Sequence, residues 1–412
     1  MQPPVAATYA ELQSLPRLFA AVRQEPKPRP GTEWQAVRAL FQAIEVTLVN
    51  LETLALKATS KLAEGDEDGA AGALEWMVCF GRAWGDLAWR ITDVGPLEPP
   101  EGHRIEVMRS PNWRALTVAE NSLARALKVR AAEPGRHAWG MPMLRYVMLQ
   151  RVAMEYSAID GTPHGYAEFV RPDGIRAAVL ERTLPGDTVF MQFRAAHQMP
   201  ELLVDVVNDH LELAISRPEI GILRRAERLI DGVVGLTEIL VARLRTEEYH
   251  DIREALGLTS GSHSVGLHFH LMRDLYPSLA KATKDAPAEV RLLIRSLGRH
   301  IDRWRMGHIN LPRTNLGGAG TGTKSLTGSP DALQTVAKMR EAGRARDPFS
   351  PRERPFQATA WESDLPPLAE VERLLLTEIA HETQNRFTDV QDRTGRYADP
   401  PGFAPPPSRR RT

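Results

Sequence analysis

The chain holds a single cysteine, Cys79, in 412 residues. One thiol cannot build an intrachain disulfide framework, a multi-cysteine zinc site or an iron–sulfur cluster. An excess of either charge is also missing: 52 Lys and Arg balance 52 Asp and Glu. That balance excludes a uniformly basic nucleic-acid binder and an acidic tail protein. Lysine is scarce, eight against 44 arginines. No run approaches the ~18 consecutive apolar residues of a membrane span. The opening MQPPVAATYAEL has neither the basic nor the apolar region of a secretory signal. The expectation is a cytoplasmic protein of two or three domains, with no nucleic-acid or membrane partner.

Strand-like alternation is scarce as well, whereas helical periodicity is widespread. Val37, Leu40, Phe41, Ile44, Leu48, Leu51, Leu54 and Ala55 recur at spacings of mostly three and four. Such stripes predict helices over 32–63, 71–92, 114–131, 141–157, 187–215, 218–245, 264–281 and 286–309. Segment 168–176 reads either as a short hairpin or as a turn between helices. The fold class is therefore all-α, a helical bundle. After Leu316 the composition changes, with five glycines in the sixteen residues LGGAGTGTKSLTGSPD. Helices are expected over 330–342 and 368–387, before a Pro/Arg-rich tail. The predicted domains are an N-terminal helical region, 1–157, a helical domain, 158–345, and an extension, 346–412.

The chain also echoes itself. Tyr9-Ala10-Glu11-Leu12 returns as Tyr166-Ala167-Glu168-Phe169, and Phe41-Gln42-Ala43-Ile44-Glu45 as His197-Gln198-Met199-Pro200-Glu201, at offsets of 157 and 156. Two matches at nearly one offset suggest a duplication whose first copy is degenerate. Histidine would then stand only in the second copy, opposite apolar Phe41.

His308 closes a stripe formed by Leu293, Leu297, Ile301 and Trp304. Such an imidazole is either a core side chain satisfied by a carbonyl or a metal or haem ligand. His197 shares a face with Phe190, Phe193 and Glu201, which suits a packed core or a cofactor pocket. Pro200 removes a backbone donor just beyond it, so the helix should kink or re-form there. His268 and His270 stand two apart within a helical pattern, which disfavours a mononuclear metal site between them. The small residues of 260–266 suit close approach to a flat ligand or another helix. The glycine-rich loop lacks the Lys-Ser/Thr of a phosphate cradle, and no strand precedes it. It suits a loop closing over a ligand, with Thr321 and Thr323 as donors.

Three segments in order resemble the tryptophan 2,3-dioxygenase and indoleamine dioxygenase-like superfamily of histidine-ligated haem oxygenases. Arg303-Trp304-Arg305-Met306-Gly307-His308, followed by Gly320-Thr321-Gly322, is similar to the family's RWR-x-x-H segment and GTGG loop. Thr259-Ser260-Gly261-Ser262-His263-Ser264 is similar to its ASGFQS segment, and His197-Gln198-Met199-Pro200-Glu201-Leu202 to its HQ-x-x-EL helix. The likeness covers about 166–343.

The resemblance implies b-type haem with His308 as iron ligand and Trp304, Arg305, Gly320 and Gly322 beside the cofactor. It makes His197 the distal catalytic histidine, Phe190 and Phe193 the ring pocket, and Thr321 a loop contact to substrate. His268 stands where the family has the arginine that holds the substrate carboxylate, and imidazole cannot make that bidentate pair. Thr323 replaces the last glycine of GTGG, and only 40 residues separate His268 from His308. The implied activity is oxygenation of an indole or tryptophan-derived substrate with dioxygen. Hydroxylation, nitrogen oxidation or ring rearrangement in secondary metabolism is the alternative chemistry, and a non-catalytic helical binding protein the alternative class. A homodimer, a homotetramer or a monomer is compatible with the likeness.

Overall fold

Thr32 and Gly65 bound the helix around which the others are arranged. The Thr32 hydroxyl accepts the Gln35 amide hydrogen at the start, and Gly65 ends the helix in the left-handed region, with φ 78°. Glycine pays no Cβ penalty there. Asp66 then caps the next helix by accepting from the Gly69 amide at 2.8 Å. These local signals make a tight antiparallel hairpin of two long helices.

The computed structural model describes residues 14–25, 27–94, 110–133, 140–141, 143–145, 147, 165–181, 188–244, 246–249, 252 and 267–316. At 92–93, 188–190, 239–242, 267, 270 and 308–316 the backbone alone is described. In chain order the helices are α1 (Leu15–Val22), α2 (Glu33–Glu64), α3 (Glu67–Asp93), α4 (Pro111–Ala131) and α5 (Tyr166–Val170). There follow α6 (Pro172–Leu180), α7 (Thr188–Ser216), α8 (Ile220–Arg243), α9 (Leu267–Ala282) and α10 (Ala288–Leu316). No strand occurs among the described residues, and the chain is an all-α helical bundle. Segment 168–176 is a turn between helices: Arg171, at φ 66°, separates α5 from α6. Most of 141–157, everything beyond Leu316, and the expected helices at 330–342 and 368–387 lie outside the described residues.

The described helices all belong to one unit, Met1–Trp361. Helix α2 packs on α3 and α4, and α7 packs on α8 and α9. The two groups join through α2 on α7 and α3 on α8. Gln35 with Asp209 and Thr47 with Met199 show that α2 and α7 run antiparallel. Arg90 with Asp231 and Arg243 with Glu75 show the same for α3 and α8. Helix α10 runs parallel to α8, tied by Arg224–Glu289 and Arg303–Glu238.

Residues 36–52 of α2 are buried without interruption. The helix is long and apolar enough by composition to cross a membrane, but most of that stretch is covered by other helices. Its polar side chains are answered by those neighbours. Glu45 is wholly buried and accepts from Ser110 at 2.9 Å, Asn112 at 2.7 Å and Tyr166 at 2.6 Å. Burial raises its carboxyl pKa, and the three donors oppose that shift. Glu52 pairs with Arg176 of α6, and Arg38 donates to the Val22 carbonyl at the end of α1. Glu45 thus ties α4 and α5 to α2. Glu45→Ala should strand three buried donors and cost at least about 3 kcal/mol in urea unfolding; a loss under 1 kcal/mol would contradict that role.

Candidate functional site

His197 sits on α7 with Nδ1 2.6 Å from the Phe193 carbonyl oxygen, one turn earlier. A carbonyl only accepts, so Nδ1 carries the hydrogen and the lone pair lies on Nε2. The His197 and Phe193 rings pack with centroids 4.2 Å apart, tilted by 47°. Burial drives the imidazole pKa down to about 4, although the carbonyl bond opposes the shift. His197 is therefore neutral at pH 7, in the tautomer that accepts at Nε2. Helix α7 continues through Pro200, which cannot supply the amide hydrogen expected by the Ala196 carbonyl. Phe190 lies in the first turn of α7, where the backbone alone is described.

The apolar face of α10 differs by one position from the expected stripe. Val290, Ile294, Leu297, Ile301 and Trp304 are buried, whereas Leu293 is partly exposed. Positions 294, 297, 301 and 304 keep the three-four spacing, so Ile294 takes the place expected of Leu293. Trp304 stacks on Phe269 of α9, with centroids 4.2 Å apart and planes within 12°. Arg305 is half-buried. A Cβ added at Gly307 would come within 3.0 Å of Thr237 Cγ2, so α10 meets α8 closely there. His308 follows on the α10 backbone, and its side chain lies outside the described residues. On α8, Gly232 faces Leu203 of α7 and Thr237 faces Gly307. Because α7 and α8 are antiparallel, His197 and the His308 backbone occupy the same end of these helices.

His268 lies in the first turn of α9, facing α7. Its Nδ1 is 2.6 Å from Glu201 Oε2, and its Nε2 is 3.2 Å from Asp205 Oδ1 and 3.0 Å from Arg23 Nη2. Both ring nitrogens thus face protein side chains. Phe19 covers the ring at 4.4 Å between centroids, and Asn208 donates to the His268 carbonyl at 2.8 Å. Glu201 is wholly buried; burial raises its carboxyl pKa, and the contact with His268 opposes this. Its second oxygen, Oε1, is buried with no hydrogen-bond partner among the described residues.

The structure therefore brings together His197, Phe193, Glu201 and His268 around α7, and Trp304 against α9. Thr321, Gly320, Gly322 and the 259–264 segment lie outside the described residues. Asp205, Arg23 and Phe269 were not singled out from sequence. Asp205 follows Glu201 by one turn, a spacing that could have flagged it, but nothing in the sequence brings Arg23 to it. Among the described residues no three His, Cys, Asp or Glu side chains converge as a metal cage. Neither a family model, a curated protein nor a solved structure matches the chain.

His210, on the same helix, is a second buried neutral imidazole. Its Nδ1 lies 2.8 Å from the Val206 carbonyl, and burial lowers its pKa from 6.5 to about 4. The unfolded chain binds this proton near pH 6.5 and the folded chain only near pH 4. The stabilisation is therefore complete above the unfolded pKa and is lost as pH falls through that window. The loss amounts to about 3 kcal/mol at the acid end. His210→Gln should reduce the difference in urea stability between pH 7 and pH 4.5; an unchanged difference would rule this source out.

Proposed function

We propose that the chain is a histidine-ligated haem enzyme that oxygenates an aromatic, indole or tryptophan-derived substrate. The observation that carries this reading is His197: a neutral imidazole of fixed tautomer against an aromatic ring. It lies at the same end of the helices as His308, the residue that the RWR-x-x-H likeness makes the iron ligand.

The surroundings suit a flat, apolar prosthetic group. His308 would hold the haem iron through its imidazole, the single protein ligand such a group needs. The close approach of Gly307 to Thr237 anchors the α10 backbone beside that histidine. Trp304, held against Phe269, and Arg305 flank the same stretch of α10. Bound haem would supply the activation of dioxygen.

The protein groups have separate tasks in this reading. His197 Nε2 accepts a hydrogen bond from the substrate N–H or O–H and orients the ring. Phe193 supplies an apolar wall that excludes water, and Phe190 and Thr321 are the further contacts the likeness suggests. His268 is not used as a carboxylate clamp, because its nitrogens face Glu201, Asp205 and Arg23. A substrate whose aromatic ring provides most of the binding energy fits this arrangement.

The purified chain, expressed with haem supply, should show a Soret band that shifts with indoles or phenols; no band would overturn the reading. His308→Ala should abolish the band. His197→Ala should keep it and slow turnover roughly 10²-fold, the usual scale of acid–base assistance. Product mass under labelled dioxygen then distinguishes insertion of two atoms, one or none.

A further inference from the structure

The echo between the two halves extends into the folded chain. Among the described residues, the positive-φ residues other than glycine are Ser14 and Arg171, 157 positions apart. Each precedes a short helix, α1 at Leu15 and α6 at Pro172, again 157 apart. Pro111, the first residue of α4, and Leu267, on α9, are 156 apart. Each of these two helices packs on the long helix carrying the echoed segment, α2 or α7. At the matching positions Asn112 Nδ2 donates to Glu45 Oε2 at 2.7 Å, and His268 Nδ1 meets Glu201 Oε2 at 2.6 Å. One half thus serves as an internal control for the other.

The residues around this contact differ between the halves. The buried carboxylate is common to both, as Glu45 and Glu201. Its partner is the amide of Asn112 in the first half and the imidazole of His268 in the second. At the same offset Phe41 becomes His197 and Val49 becomes Asp205. Glu45 has hydrogen bonds at both oxygens, whereas Glu201 Oε1 has none among the described residues.

We propose that the second half has turned a structural carboxylate into a proton relay, in which Asp205, His268 and Glu201 connect solvent to the His197 site. Exposure falls along the chain, with side chains 25% exposed at Asp205, 11% at His268 and 1% at Glu201. His268 Nε2 faces both a donor, Arg23 at 3.0 Å, and an acceptor, Asp205 at 3.2 Å. That nitrogen therefore has a partner whether or not it carries a proton. A proton arriving at Nε2 makes an imidazolium, whose Nδ1–H passes to Glu201 Oε2. Rotation of the protonated carboxyl group about its Cγ–Cδ bond then carries that proton toward His197, one helical turn away and ~5–6 Å between Cβ atoms. Run in reverse, the same steps carry a substrate proton outward and restore the starting tautomer. No oxidant or reductant is consumed. The charged and titrating groups around the relay are Arg23 beside α1, Asp205 and Asp209 on α7, and His268 on α9; Gln35 of α2 donates to Asp209.

This inference rests on the proposed function only for what the proton does at His197, so its test has two readouts. The key variant is His268→Asn, which copies Asn112 and should fold normally by circular dichroism; Asp205→Asn, nearer the surface, is the second. In the full chain without cofactor, ¹⁵N-histidine NMR should show His268 populating both the Nδ1–H and the Nε2–H form. The balance between the two should move in Asp205→Asn and in Glu201→Gln. A ring locked in one form overturns the relay, whether or not haem binds. In the haem-loaded enzyme, His268→Asn and Glu201→Gln should lower kcat roughly 10²-fold, leave KM unchanged and remove the solvent deuterium isotope effect. Glu45→Gln, in the other half, should leave that isotope effect in place. A normal Soret band with unchanged kcat and isotope effect in His268→Asn sinks the relay and spares the oxygenase reading. Absence of the band sinks the oxygenase reading, and the NMR tautomer balance still decides the relay.

Discussion

A carboxylate with no water around it must be met by protein donors, and Glu45 imposes that demand on the helix at the centre of the fold. Because α2 is covered on every side over 36–52, its polar groups can be satisfied only by other elements arriving at set positions. Tyr166, Ser110 and Asn112 do so for Glu45, Arg176 for Glu52, and the C-terminal end of α1 receives Arg38. Apolar burial supplies the attraction between helices, but it does not by itself choose their register. The buried polar contacts choose it, since a displaced neighbour would leave a charge unpaired.

The second half repeats the demand with different chemistry. Glu201 on α7 is as buried as Glu45, and an imidazole answers it where the first half has an amide. An amide fixes one hydrogen-bonding state, while an imidazole between a carboxylate, an arginine and a second carboxylate has partners in two. Helices α4 and α9 each pack on the long helix that carries the buried carboxylate. His197, one turn before Glu201, is neutral and turned by the Phe193 carbonyl into a fixed acceptor. In the proposed reading, the first half provides rigidity and the second half the chemistry.

Much of the helical architecture was legible because it is local. The three-four stripes of α2, α7 and α10 announce their own faces. The shift from Leu293 to Ile294 shows the limit: a face is set by what covers it, and α8 covers α10 one position away from the densest stripe. The hairpin alternative for 168–176 also required the tertiary view, in which Arg171 takes a left-handed turn between two helices.

By itself, the sequence determined an all-α chain, a self-echo at an offset of 156–157, and histidines worth weighing at 197, 268 and 308. Only the tertiary structure decided what His268 faces, because its partners come from residue 23, just beyond α1, and from residues 201 and 205 on α7. A helix displays its own face through its periodicity, whereas the charge that another helix brings to that face depends on packing across distances the local pattern does not record.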